Sequence, residues 1–289
     1  MNVVTPLIQW YPGHIAKAER QLAKNIDQVD LVIEVRDARI PLSTSHPHLK
    51  KWIVNKKHLL VINRKDMITE KNLEEWDLWF KSNGETPRWC NAQNGTGIGV
   101  IKEAAIQMGE ELNQRRELRG MRHRPVRALT LGFPNVGKSA LINRLVNKKV
   151  VASSRRAGVT KSLQWVRLGQ RLDLLDAPGV LPPRLDNQQA ALRLAICDDI
   201  GQAAYDVESV AIAFLKLLHH LDNHNHERIN NSLEKRYGIP FKRSKGDTHQ
   251  WLENAANIHT SSDLRRMSHK LLDDFRKLLL GKIALELPT

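Results

Sequence analysis

The stretch Gly132-Phe133-Pro134-Asn135-Val136-Gly137-Lys138-Ser139 has the spacing G-x-x-x-x-G-K-[ST] of a phosphate-binding loop. The apolar run from Val126 to Leu131 predicts a strand before it, and Lys138 to Asn147 predicts a helix after it. Between a strand and a helix, such a loop wraps phosphate oxygens with backbone N–H groups and aims the positive end of the helix at them. Val136, Gly137 and the first-turn residues up to Ala140 are the expected phosphate contacts, and glycine is needed where a side chain would block close approach. The Lys138 ammonium is suited to the β- and γ-phosphates, and the Ser139 hydroxyl to a Mg²⁺ ion.

Working downstream, Asp176-Ala177-Pro178-Gly179 follows a second predicted strand, Arg171 to Leu175. An acid at this strand end can hold Mg²⁺ through water, and the Gly179 N–H can sense a γ-phosphate. In the intervening Arg156-Ala157-Gly158-Val159-Thr160-Lys161, Thr160 is the candidate second hydroxyl on Mg²⁺. Leu163 to Leu168 and Arg171 to Leu175 read as a hairpin around Gly169-Gln170.

Working upstream, the apolar run His58 to Ile62 predicts a buried strand that ends at Asn63-Arg64-Lys65-Asp66. These four residues are similar to the N-K-x-D element that reads guanine. The Asp66 carboxylate can accept from guanine N1–H and N2–H₂ together, a donor pair that adenine lacks, so GTP or GDP is the expected ligand. Arg64 stands where lysine is usual, and its stem or guanidinium plane can also lie along a base. Asn91-Ala92-Gln93 occupies the place of a second base loop, in which Ala92 would offer its N–H to the guanine oxygen.

The succession is therefore base reader, second base loop, phosphate loop, switch threonine, D-x-P-G, whereas a standard GTPase begins at the phosphate loop. The chain resembles a circularly permuted GTPase. Trp10-Tyr11-Pro12-Gly13-His14-Ile15-Ala16-Lys17-Ala18, the run from Asp30 to Pro41 (DLVIEVRDARIP) and the phosphate loop itself resemble the bacterial ribosome-assembly GTPase family called YlqF or RbgA. That resemblance is close over the first 183 or so residues and looser beyond. It implies an α/β fold, a mostly parallel sheet with helices on both faces, followed by a small all-α domain. It also implies late action on the large (50S) ribosomal subunit, GTP hydrolysis when engaged there, and contact of the helical part with ribosomal RNA. Val180 stands where many GTPases carry a water-orienting glutamine, and the resemblance makes His14 the candidate for that catalytic role. Asn135 is implied as a possible ligand of K⁺ acting beside the β- and γ-phosphates.

Composition agrees with a polyanionic partner. The 289 residues carry a formal net charge of +14, more than binding a small anion requires. After Pro182-Pro183 no strand is expected. Helices are expected at Asp186 to Ile200, Val207 to His219, His226 to Tyr237, Thr248 to Ile258 and Ser262 to Leu280. The segment 228–282 holds twelve Lys and Arg against six Asp and Glu. The expected division is a permuted GTPase domain at 1–183 and a basic helical domain at 184–289. Residues 115–127 read as a linker with six arginines against one glutamate, solvated or in contact with phosphate. His219, His220, His224 and His226 read as a solvated group at a helix end, and Cys90 and Cys197 as ordinary thiols. With no secretory signal and no membrane-spanning run, a cytoplasmic protein, monomeric when free, is the expectation. The competing readings are an RNA-binding module with an inert nucleotide site and a small-molecule kinase. The intact Lys138, Ser139, Thr160 and Asp176 weigh against the first, and the base reader against the second.

Overall fold

A computed structural model describes Ile8 and residues 25–150, 164–177, 187–241 and 248–289. The apolar runs become a six-stranded sheet. Its strands are β1 (Leu31–Asp37), β2 (Lys57–Asn63), β3 (Arg88–Trp89), β4 (Val126–Leu131), β5 (Gln164–Leu168) and β6 (Leu172–Asp176), in the order β3-β2-β1-β4-β6-β5. Every neighbouring pair is parallel except β5 with β6, the expected hairpin. β1 lies near the centre and is buried along its whole length, and its two charged residues Glu34 and Arg36 are buried as an ion pair at 2.6 Å.

Helices cover both faces. On one, α3 (Ile98–Glu117) and α4 (Lys138–Val146) bring Ile101, Ala105, Leu141 and Leu145 against Ile33, Val35, Ala128 and Leu174. On the other, α1 (Leu49–Trp52) adds Leu49 to Val32, Leu129 and Leu175, while α2 (Glu70–Ser82) buries Trp76 and Phe80 against Leu60 and Ile62. Full burial of each such side chain contributes roughly 1.5–3 kcal/mol. Thr69 caps α2 by accepting from the Asn72 N–H at 3.1 Å.

The second half is helical: α5 (Gln188–Ile196), α6 (Val207–Tyr237), α7 (Thr248–His259) and α8 (Leu264–Arg276). Two expectations are corrected here. Val207 to Tyr237 is one helix of 31 residues rather than two, because the polar His-Asn run inside it contains neither glycine nor proline to break it. It ends at Gly238, whose φ of 69° suits a left-handed cap. The last helix starts after Asp263 rather than Ser262, since Ser261 and Ser262 have φ of 53° and 65°; Asp263 caps it by accepting from the Arg266 N–H at 2.8 Å. It stops at Arg276, two residues before the positive-φ Leu278.

Arg236 and Tyr237 at the end of α6 both donate to the Asp274 carboxylate of α8, at 2.8 Å to Oδ2 from each. The final residues then return to the first half. The N–H groups of Leu285 and Glu286 donate to the Arg39 carbonyl, and the buried Glu286 carboxylate accepts from Leu42 N–H, Ser43 N–H and Ser43 Oγ. Trp76 and Trp79 donate their indole N–H groups to the carbonyls of Glu286 and Thr289. Among the described residues no helix is long and apolar enough to cross a membrane.

Candidate nucleotide-binding site

Parallel sheets gather ligands at the carboxyl ends of their strands. Three such ends meet here: β2 at Asn63, β4 before Gly132 and β6 at Asp176. Asn63 joins the loops. Its Nδ2 donates to the Val136 carbonyl at 2.8 Å, and its Oδ1 accepts from the Ala92 N–H at 2.9 Å. One buried side chain thus ties the base reader to the phosphate loop and to the second base loop, across 73 and 29 residues of chain.

The glycines make this closeness feasible. Gly137 has φ of 99°, and a Cβ there would lie 2.2 Å from Asn63 Nδ2. Gly132 has φ of 159°, and a Cβ there would lie 2.3 Å from the Val35 carbonyl oxygen. Both positions require glycine on conformational and steric grounds together.

Gly137 is the N-cap of α4, so Lys138, Ser139 and Ala140 form its first turn, with Val136 buried immediately before the cap. The Lys138 amine donates to the carbonyls of Gly132 at 3.0 Å and Phe133 at 2.7 Å. Burial pulls its pKa down to about 8, against the opposing pull of Asp176 and Asp199. Asp176 ends β6 with both carboxylate oxygens buried and, among the described residues, without a hydrogen-bond partner, and burial lifts its pKa to about 6. Asp66 Oδ1 is likewise buried and unpartnered. A carboxylate oxygen in that condition costs on the order of 1–3 kcal/mol, which a pair of donors from a guanine edge, or water held by a cation, would offset. The donor set therefore fits a guanine nucleotide with Mg²⁺.

Arg64, with φ of 62°, sends its guanidinium to Asp37 Oδ2 (3.0 Å) and to the Asn135 carbonyl (2.5 Å). Lys65 is half-buried, and its N–H donates to the Cys90 carbonyl. Asn91 folds its own loop, its Oδ1 accepting from the N–H groups of Gln93 and Asn94. The Asn135 amide donates to the Asp198 carbonyl at 2.7 Å. His14, Thr160 and Gly179 lie outside the described residues.

Several residues here escaped motif reading. Arg144 of α4 donates to the carbonyls of Ala92 and Gln93 and so clamps the second base loop from the phosphate-loop side. Burial works to raise the Asp37 pKa, but the guanidiniums of Arg39 and Arg64 outweigh it and hold the carboxyl below its ordinary value. Asp199 is fully buried nearby with both oxygens unpartnered among the described residues; burial, then Asp37, push its pKa up to about 8. Asp37 and Arg39 were visible only as part of a family-like run, and Asp199 and Arg144 carried no local signal.

A phosphate loop between β4 and α4, stapled through Asn63 to the candidate base-reading loop on a mostly parallel sheet, is the arrangement of a P-loop GTPase. In this chain the strand that carries the candidate base reader precedes the phosphate loop.

A family model described as 50S ribosome-binding GTPase matches residues 127–240. Ribosome biogenesis GTPase A of Bacillus cereus is 38% identical over 233 residues, covering 81% of this chain and 76% of its own. The protein of the same name from Bacillus pumilus is 35% identical over 232 residues, covering 80% of each. The GNP-bound structure of YlqF from T. maritima shares the fold, with a TM-score of 0.60 at 22% identity over 94% of this chain and 98% of that one. The chain belongs to the ribosome biogenesis GTPase A family.

Proposed function

We propose that this GTPase acts late in maturation of the large (50S) ribosomal subunit, hydrolysing GTP when bound there and contacting ribosomal RNA through its basic helical segment, residues 184–289. The observation that carries the reading is the Asn63 staple. It sets a base reader, whose Asp66 oxygen is poised to accept, against a phosphate loop ending in Lys138. The names of the bacterial relatives and the basic balance of 228–282 support the ribosomal partner.

In this reading Asp66 takes the guanine N1–H and N2–H₂, and Ala92 meets the guanine oxygen. Arg64 and Lys65 hold the base reader in shape, and Asn91 holds the second loop. The N–H groups of Val136 to Ala140 and the Gly179 N–H take the phosphates. Lys138 leaves the carbonyls of Gly132 and Phe133 for the β- and γ-phosphates. Ser139, Thr160 and Asp176, the last through water, would hold Mg²⁺, which neutralises charge developing on the phosphates. Asn135 is the residue for a K⁺ ion, its amide already anchored to Asp198. His14 orients the attacking water. The RNA-facing segment follows the D-x-P-G switch directly in the chain, so nucleotide state and RNA contact are expected to be linked.

The test is the GTP turnover rate with immature large subunits, with mature large subunits and with neither. Stimulation by large subunits, with His14→Ala lowering the stimulated rate at least tenfold while GTP affinity holds, is the expected result. Turnover indifferent to subunits would overturn the assembly role.

A further inference from the structure

The end of the sheet opposite the nucleotide has an ordered cationic surface of its own. β1, β4 and β6 run parallel, so their amino ends lie together, and the arginine-rich segment 115–127 crosses this end. It is pinned in place. The Asn113 side chain bonds both the N–H and the carbonyl of Arg124, and the Arg124 guanidinium grips the Asp30 carboxylate with two bonds of 2.7 Å. The N–H of Val126 donates to the Arg171 carbonyl, bringing the β5–β6 turn alongside.

Three acids at this end are engaged, and a fourth, Asp173, forms no ion pair among the described residues and has a buried Oδ1 without a partner. Glu111 pairs with Lys57 at 2.7 Å, Glu117 with His123 at 3.2 Å and Glu110 with Arg171 at 3.8 Å, while Asp173 stands opposite both Arg127 and Arg167 in the strand ladders. Arg119, Arg122, Lys148 and Arg167 are exposed and make no ion pair among the described residues. Beside Lys148 and Arg167 a groove of about 580 Å³ runs between α3, the end of α4 and the edge strand β5. Lys102, Leu145, Lys148, Trp165, Val166 and Arg167 line it, and no carboxylate lines it among the described residues.

We propose that this end of the GTPase domain is a second RNA-contact surface, in which Arg119, Arg122, Lys148 and Arg167 neutralise backbone phosphates. The inference rests on the reading that RNA is the partner, and adds a contact on the far side of the sheet from the nucleotide. Four unpaired cations on a pinned scaffold fit a polyanion better than a basic or neutral protein surface. Lysine and arginine contacts to phosphate release counterions, so their number is read directly from the salt dependence of binding.

The experiment uses the full chain and a short fluorescein-labelled RNA duplex, with affinity measured between about 50 and 200 mM KCl. Arg119→Gln/Arg122→Gln and Lys148→Gln/Arg167→Gln are compared with Arg265→Gln/Arg266→Gln in the helical segment, each checked for an unchanged thermal midpoint. Each of the first two pairs is expected to weaken binding about three- to tenfold and to lower the salt slope by about 2, with basal GTP turnover unchanged. Wild-type affinity and slope in both pairs would overturn the proposal. Loss confined to Arg265→Gln/Arg266→Gln would overturn it too, while sustaining the helical segment as the RNA contact. Loss in the first two pairs alone would sustain this surface and remove RNA binding from the helical segment. A glutamate-rich peptide of matched charge that binds more tightly than the duplex would overturn RNA as the occupant.

Discussion

Asn63 Nδ2 lies 2.8 Å from the Val136 carbonyl oxygen, and this contact between the base reader and the phosphate loop holds the candidate site together. With the Ala92 N–H on its other end, the Asn63 side chain is buried. Replacing it with alanine leaves a buried carbonyl and a buried N–H to be satisfied elsewhere. Asn63→Ala is expected to weaken binding of a fluorescent GDP analogue by about ten- to a hundredfold, from roughly 1–3 kcal/mol of lost hydrogen bonding. Wild-type affinity would show that the staple is dispensable.

Asp66 is the residue expected to select the base. An asparagine there presents a donor where guanine offers one, and matches instead the oxygen that xanthine carries at C2. Asp66→Asn is expected to lose GTP by more than about a hundredfold and to gain xanthosine triphosphate, read by competition. Undiminished GTP binding would separate Asp66 from the base.

Arg64 links Asp37 to the Asn135 carbonyl and so steadies a phosphate-loop residue held at φ of 57°. Arg64→Ala should weaken nucleotide binding by about tenfold, as expected for losing a charged hydrogen bond. Arg64→Lys should recover part of this, because lysine can reach one of the two acceptors but not both. Wild-type affinity in both variants would mean that the bridge itself does not matter.

The helical half has a pH signature. Burial acts to raise the pKa of Asp274, but hydrogen bonds from Arg236 and Tyr237 prevail and hold it below 3.8. A carboxyl with a depressed folded pKa contributes stability above its unfolded pKa and loses it as pH falls through the folded value. Asp274→Asn should therefore cost roughly 2 kcal/mol at neutral pH, and the gap from wild type should close as the medium is acidified below about pH 4. A gap that stays constant with pH in denaturant titrations would contradict this origin.

Much of the site was legible because its chemistry is local. Gly132 to Ser139 and Asn63 to Asp66 each declare themselves within a few residues, and both follow apolar runs that form the buried strands β4 and β2. What stayed hidden depends on contacts between distant parts of the chain. Arg144 reaches Ala92 across 52 residues, and Glu286 reaches Ser43 across 243, and neither leaves a spacing to read. The length of α6 was missed for a different reason: a polar stretch resembles a break, yet without glycine or proline the backbone bonds simply continue. Asp198 and Asp199 read as a helix end, whereas the fold buries the second beside Asp37 and sets the carbonyl of the first on Asn135.

Asp66 and Lys138 are expected to serve one guanine nucleotide. Displacement of a fluorescent GDP analogue by unlabelled GTP and by ATP tests this most directly, run on the wild-type chain, Asp66→Ala and Lys138→Ala. GTP is expected to displace the analogue at concentrations at least about a thousandfold below ATP, and analogue binding is expected to be lost in either variant. Equal displacement by ATP, or a variant at either residue that binds the analogue as wild type does, would contradict it.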